Sequence, residues 1–266
     1  MNYLSEPLKR AEGTQEQARI LTLLGSSQRL VGAFDAAKEL HTTARDIAQE
    51  AGDRKCEIAN LNHLSRISIS EKNYSEAINY AQRALILSRQ AGDRMGESNA
   101  LTNLGYSEVF QAQQLESDAD VYERAIAYLE QGFALSEKLG DLQSQALCSI
   151  SLGNAYVALA EPEKALNYLE TGAISAADAG DRYLQSISFA AIAEALYQLQ
   201  TYDKAIVAAA LSMYQLEQMG SNDWRQPAGL LTILRGQLSD RFTQILQDQR
   251  SRFIQEIGVD GYDYLF

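Results

Sequence analysis

Two histidines, His41 and His63, and two cysteines, Cys56 and Cys148, are the chain's whole stock of imidazole and thiol groups. A catalytic dyad or a zinc centre needs such groups to converge within hydrogen-bond or ligand distance of one another. The histidines fall at different positions of the repeat described below, so they are expected to stand apart as structural or surface residues. Cys148 and the adjacent Ser149 have no histidine at helical spacing, and both cysteines read as small core or surface residues. No Gly-x-Gly-x-x-Gly, Walker loop, Gly-x-Ser-x-Gly or His-Glu-x-x-His is present. The segment Gln114 to Val121 groups Glu116, Asp118 and Asp120, and Asp-x-Asp can open a calcium loop. The glycine and terminal glutamate of such a loop are missing, since Glu123 and Leu129 stand in their places. This segment therefore reads as a solvated loop that lengthens a turn between two helices. No metal, no cofactor and no catalytic residue is expected, and the chain is read as not an enzyme.

Composition narrows the partners. The chain has 266 residues, 35 acidic and 23 basic, and a net charge of −12. Nucleic acid and anionic membranes both require clustered lysine and arginine, so neither is an expected partner. No window approaches 18 uninterrupted apolar residues, so no membrane-spanning helix is expected. Met1 to Arg10 lacks the apolar run of a secretory leader, and two cysteines make no disulfide framework. These features point to an acidic, cytoplasmic protein. An apolar fraction of 46% is enough to bury a core without staples.

The chain repeats itself. Gly-Asp recurs at Gly52-Asp53, Gly92-Asp93, Gly140-Asp141 and Gly180-Asp181, spaced 40, 48 and 40, with Gly220 another 40 on. Taking each Gly as zero, and Glu12 as the zero of a first unit, position twelve holds Leu24, Leu64, Leu104, Leu152 and Ile192. Position thirteen is small: Gly25, Ser65, Gly105, Gly153 and Ala193. Position twenty-five, corrected for eight extra residues in the third unit, is Ala37, Ala77, Ala125, Ala165 and Ala205. Position thirty-two is again small: Ala44, Ala84, Gly132, Gly172 and Ser212.

Each unit reads as two antiparallel helices. Gly supplies the left-handed residue that ends one helix, and Asp caps the free amides that begin the next. A second break lies inside each unit, as at Lys72-Asn73, Ala160-Glu161-Pro162 and Gln200-Thr201. Small residues at positions thirteen and twenty-five let the two helices approach closely. β-Branched residues occur singly, so strands are not expected.

The Leu-Gly, Ala and small-residue pattern with Gly-Asp-Arg joints (Gly52-Asp53-Arg54, Gly92-Asp93-Arg94, Gly180-Asp181-Arg182) resembles the tetratricopeptide repeat, TPR. Leu152-Gly153-Asn154-Ala155-Tyr156 with Glu163-Lys164-Ala165-Leu166-Asn167-Tyr168 is its clearest spelling. A period of 40 resembles the long-helix subclass of kinesin light chains and bacterial Rap-type regulators. The resemblance implies an all-α, right-handed α-α superhelix, a TPR solenoid. Its helix pairs would span 12–51, 52–91, 92–139, 140–179 and 180–219, after an N-terminal segment 1–11.

Residues 220–266 depart from the repeat and read as capping helices with an aromatic tail. A helix is expected from about Pro227, with Leu231, Leu234, Leu238, Phe242 and Ile245 as one apolar stripe that Phe253 and Ile257 extend. Gln244, Gln247, Asp248, Gln249 and Arg250 would form its polar outer face. The tail, with Tyr262, Tyr264 and Phe266, either tucks against the cap or docks a partner, and tucking is favoured because exposed aromatics impair solubility. It resembles tails of photosynthetic-bacterial repeat proteins, which would make the chain of cyanobacterial type.

In the TPR family the first helix of each pair lines the concave face. Positions seven, ten, fourteen, seventeen and eighteen fall on that side of the helical wheel. They hold Arg19, Thr22, Ser26 and Arg29, then Asn62 and Arg66, then Asn99, Tyr106 and Phe110, then Asn154, and last Glu194, Tyr197 and Gln198. Arg19, Arg29 and Arg66 are expected to share one exposed wall that attracts carboxylates, with Tyr106 and Phe110 as an apolar platform beside them. The family's clamp for peptide C-termini needs Lys and Asn where this chain has Thr22 and Ser26, so that activity is not carried over. The expected function is a non-catalytic scaffold for complex assembly or regulation. It would hold a peptide or partner helix with an acidic end and an apolar middle. The alternative is a Rap-like regulatory sensor of a signalling partner, and behind it an enzyme on a helical array, for which no inner-face cluster of His, Cys or paired carboxylates is visible. Rap regulators carry an N-terminal helical bundle, and the eleven or so residues before the first unit count against the sensor.

Overall fold

The structure is a computed structural model that describes residues 14–264. The segment 1–11, the start of the first unit at Glu12, and Phe266 lie outside the described residues. Thirteen α-helices and no strand occur among the described residues. They run as five antiparallel pairs: α1 (Gln15–Leu30) with α2 (Phe34–Glu50), α3 (Arg54–Ser70) with α4 (Tyr74–Ala91), α5 (Arg94–Gln114) with α6 (Ala119–Leu139), α7 (Leu142–Ala158) with α8 (Pro162–Asp178), and α9 (Arg182–Gln198) with α10 (Tyr202–Gln218). A 3₁₀ turn at Asn222–Trp224 leads to α11 (Arg225–Leu238), α12 (Asp240–Asp248) and α13 (Arg250–Tyr264). The chain divides into two compact units at the joint between Leu139 and Gly140.

The joints work as their chemistry requires. Gly52, Gly92, Gly140, Gly180 and Gly220 all take left-handed φ between 67° and 71°. The aspartate that follows accepts a backbone N–H three residues on: Asp53 from Cys56 at 3.2 Å, Asp93 from Gly96 at 3.0 Å, Asp141 from Ser144 at 3.1 Å and Asp181 from Leu184 at 3.0 Å. Each bond satisfies an amide that a helix start leaves unpaired. Inside the pairs the left-handed residue is Gly32 once but otherwise Lys72, Glu116, Ala160 and Gln200.

The eight extra residues of the third unit do not lengthen a turn. They lengthen both helices: α5 and α6 have 21 residues each, where α7 and α8 have 17. Four residues are about one helical turn, so each helix gains a turn without rotating its buried face.

Small residues at the crossings are obligatory. A Cβ on Gly153 would lie 2.3 Å from Leu169 Cγ and 3.2 Å from the Ala165 carbonyl oxygen. On Gly105 it would lie 2.4 Å from Leu129 Cγ and 3.2 Å from the Ala125 carbonyl oxygen. Ala165 is fully buried at this contact. Ala165→Leu is expected to destabilise by about 1–3 kcal/mol through overpacking. Thermal melting of the variant checks this, and an unchanged melting temperature would mean the crossing is loose.

Within each unit, consecutive first helices pack on each other: α1 on α3 and α3 on α5 in the first, α7 on α9 and α9 on α11 in the second. Consecutive second helices touch at most marginally among the described residues. First helices therefore line the inner side of each unit's curve.

The cap is three helices, and the stripe read as one run is divided among them. The apolar stripe is broken at Ser239, with φ 50° and ψ −122°, which separates α11 from α12. Leu234 falls on α11, Phe242 and Ile245 on α12 and Phe253 on α13, and all four are buried in one cluster. Pro227 sits in the first turn of α11, where its missing N–H has no partner to lose. The tail is tucked. Tyr262 is buried 6.2 Å from the Phe253 ring, and the Tyr264 hydroxyl donates to Glu217 at 2.5 Å. None of the helices among the described residues is long and apolar enough to cross a membrane.

Candidate binding face

On the inner side of the first unit, α3 and α5 border a cavity of about 250 Å³ lined by Asn62, His63, Arg66, Asp93, Met95 and Asn99 among others. Asn62 is 5% exposed, and it ties the two helices together rather than facing solvent. Its Nδ2 donates to the Gly96 carbonyl at 3.1 Å, and its own carbonyl accepts from Asn103 at 3.3 Å. Arg66 donates from Nη2 to Asn99 Oδ1 at 2.9 Å, and Asn99 Nδ2 donates to the Met95 carbonyl at 3.1 Å. One wall is thus a guanidinium held by a side-chain amide.

The three arginines do not form the expected exposed wall. Only Arg19 is exposed, and its Nε and Nη2 both donate to Asp53 Oδ2, at 3.1 and 2.8 Å. Asp53 also caps α3, so Arg19 neutralises a structural carboxylate and is not an open attractor. Arg29 is half-buried, and its Nε is buried with no hydrogen-bond partner. Arg66 is half-buried.

Tyr106 and Phe110 are half-buried neighbours on α5. Tyr106 and Phe110 lie 4.4 Å apart by ring centroid, and Phe110 stacks on Tyr74 at 5.9 Å. In the second unit Asn154 and Glu194 are half-buried on α7 and α9, and burial raises the pKa of the Glu194 carboxyl. Tyr197 accepts from Gln237 at 2.9 Å, and Gln198 donates to the Val157 carbonyl at 3.0 Å, so these two residues join neighbouring helices.

The histidines were expected to stand apart, and the structure brings them together. His41 on α2 and His63 on α3 stack with centroids 4.6 Å apart and planes at 17°. His41 is fully buried, and its Nδ1 meets Asn60 Oδ1 at 2.8 Å, which makes Nδ1 the protonated nitrogen. His41 Nε2 and His63 Nδ1 are buried without partners. Burial, then the charges of His41, Arg66 and Arg29, hold the His63 pKa down to about 3. Burial lowers His41 in the same direction, and Arg29 adds to it against the Asn60 hydrogen bond.

A signal for the burial of His41, though not for its pairing with His63, existed in the repeat. His41 faces Gly25, whose Cβ would lie 2.8 Å from the imidazole, just as Leu129 faces Gly105 and Leu169 faces Gly153. An imidazole therefore fills a slot where other pairs place leucine.

No group of three or more histidine, cysteine or acidic side chains that could hold a metal occurs among the described residues. The Asp-x-Asp segment leads into the start of α6.

No protein-family model matches the chain, and no curated protein matches its sequence. Solved structures match its fold. A Rap protein complexed with Competence and Sporulation Factor aligns with TM-score 0.64 at 13% identity, over 94% of this chain and 73% of that one. A thermophilic TPR protein of Thermus thermophilus aligns with TM-score 0.54 at 21% identity, over 81% of this chain and 99% of that one. A putative kinesin light chain of Podosopora anserina with nearly identical TPR-like repeats aligns with TM-score 0.53 at 16% identity, over 76% and 95%. The chain has the fold of a TPR-like, all-α helical-repeat protein. The comparisons give no support to a cyanobacterial type.

Proposed function

We propose that this protein is a non-catalytic scaffold that holds a peptide or partner helix against its first helices, for complex assembly or regulation. The observation that carries the reading is the inner side of the first unit. There a cavity walled by Arg66, Asn62 and Asn99 shares α5 with the Tyr106–Phe110 platform. That combination suits a ligand with a carboxylate and an apolar stretch. A Rap protein of the same fold is known in complex with Competence and Sporulation Factor, which supports ligand capture by such an array. Both cysteines are buried, which suits a reducing, cytoplasmic setting.

Affinity purification from the native host, with mass spectrometry, tests the reading when wild type is run beside Arg66→Glu/Tyr106→Ala. A partner retained by wild type should bind the double variant at least about ten-fold more weakly, the equivalent of roughly 1.4 kcal/mol. Equal affinities for the two proteins in calorimetric titration would remove the first unit's inner face as the site.

A further inference from the structure

Three buried nitrogens without partners gather in the first unit: Arg29 Nε, His41 Nε2 and His63 Nδ1. Unsatisfied buried polar atoms are rare and call for a physical cause. Here they come with positive charge in a chain of net charge −12. His63 lines the cavity beside Arg66, and both Arg29 and Arg66 act on its ring. His41 stacks behind it. The groups around His63 come from every neighbouring element. Arg29 belongs to α1, His41 to α2 and Arg66 to α3 itself, while the head of α5 brings the Asp93 carboxylate with neutral Met95 and Asn99. Asp93 is engaged at the α5 N-terminus by the Gly96 N–H. No α4 residue is among the described residues that line the cavity.

We propose that His63 and Arg66, which both line the cavity, form a receptor for a single anionic group, a carboxylate or a phosphate, with Arg29 adding nearby positive charge, and that His63 takes up one proton from solvent as the anion binds. The proposal rests on the reading of this inner side as the ligand face and names the chemistry it recognises. Arginine supplies the fixed charge and the forked donors. The unpartnered Nδ1 of His63 supplies a site that accepts the proton, after which the ring becomes a donor. His41 keeps its own proton on Asn60 and supports the ring from behind. Without an anion, the nearby cations make a charged imidazole costly; with one, the local charge balances.

The chain has only two histidines, so imidazole C–H resonances in an NMR titration report this site alone. Sodium succinate and inorganic phosphate are titrated separately into the whole protein, with sodium chloride at matched ionic strength as reference. The expected result is a saturable shift of both histidines with succinate or phosphate and none with chloride, and the tighter of the two identifies the anion class. With succinate, which stays mostly dianionic over this range, the midpoint should fall by up to about thirty-fold from pH 7.5 to pH 6, the limit for one proton linked to binding. Arg29→Gln and Arg66→Gln, each checked for unchanged circular dichroism, should each raise the midpoint at least about ten-fold; if one fails to fold, the other decides. No saturable shift, a midpoint indifferent to pH, or one unchanged in the folded variants overturns the proposal. A silent titration with a partner retained in the affinity experiment removes the anion site and leaves the scaffold. A responding titration with no retained partner leaves the site and removes the scaffold.

Discussion

Lowering the pH from 7.5 to 5 is expected to cost the protein about 2 kcal/mol of folding stability through His63 alone. An unfolded histidine takes its proton near pH 6.5, whereas in the fold burial and the nearby cations hold His63 down to about 3. Between these values the unfolded chain binds the extra proton. The contribution is therefore fully present above pH 6.5 and is lost as the pH falls through that window, at about 1.4 kcal/mol per unit. His41 is shifted the same way and steepens the loss. Urea unfolding at the two pH values measures it. In His63→Gln the loss should shrink by about 2 kcal/mol. If wild type and variant lose stability equally, the buried neutral imidazole is not the cause.

Leu169→Ala is expected to destabilise the second unit by about 3–4 kcal/mol. Leu169 is fully buried and packs where Gly153 has no side chain, so its removal leaves a cavity that neither backbone can close. Trp224, the chain's single tryptophan, lies in this unit and gives a fluorescence signal for denaturant unfolding. Ile174→Ala on the same helix, at a side chain 64% exposed, should stay within about 0.5 kcal/mol. Adding Gly153→Ala to Leu169→Ala should recover part of the loss, because the new Cβ occupies space that Leu169 Cγ had filled. A double variant no more stable than Leu169→Ala would show that the two residues do not share one volume.

The helix joints were legible because they rest on local chemistry. A left-handed glycine followed by a capping aspartate ends one helix and starts the next within four residues, whatever the rest of the chain does. The crossings were legible for a related reason: Gly105 and Gly153 leave no room for any larger side chain. The cap was half legible. Its apolar stripe is real, yet the chain breaks at Ser239 and both α11 and α12 pack on α10, which a three-or-four-residue period does not report.

The binding face depended most on tertiary structure. A helical wheel put Arg19 on the inner side, but it could not show the pairing with Asp53, 34 residues away. It placed Asn62 there too, but not the hydrogen bonds that bury it against α5. His41 and His63 lie 22 residues apart on different helices and at unrelated repeat positions, so no periodicity links them. What the sequence by itself determined was each helix's ends, its buried stripe and its close contacts, since these depend on residues within one pair. Only the fold decided which charges are neutralised and which imidazoles are stripped of water, because both depend on the side chains that neighbouring pairs bring within a few ångströms.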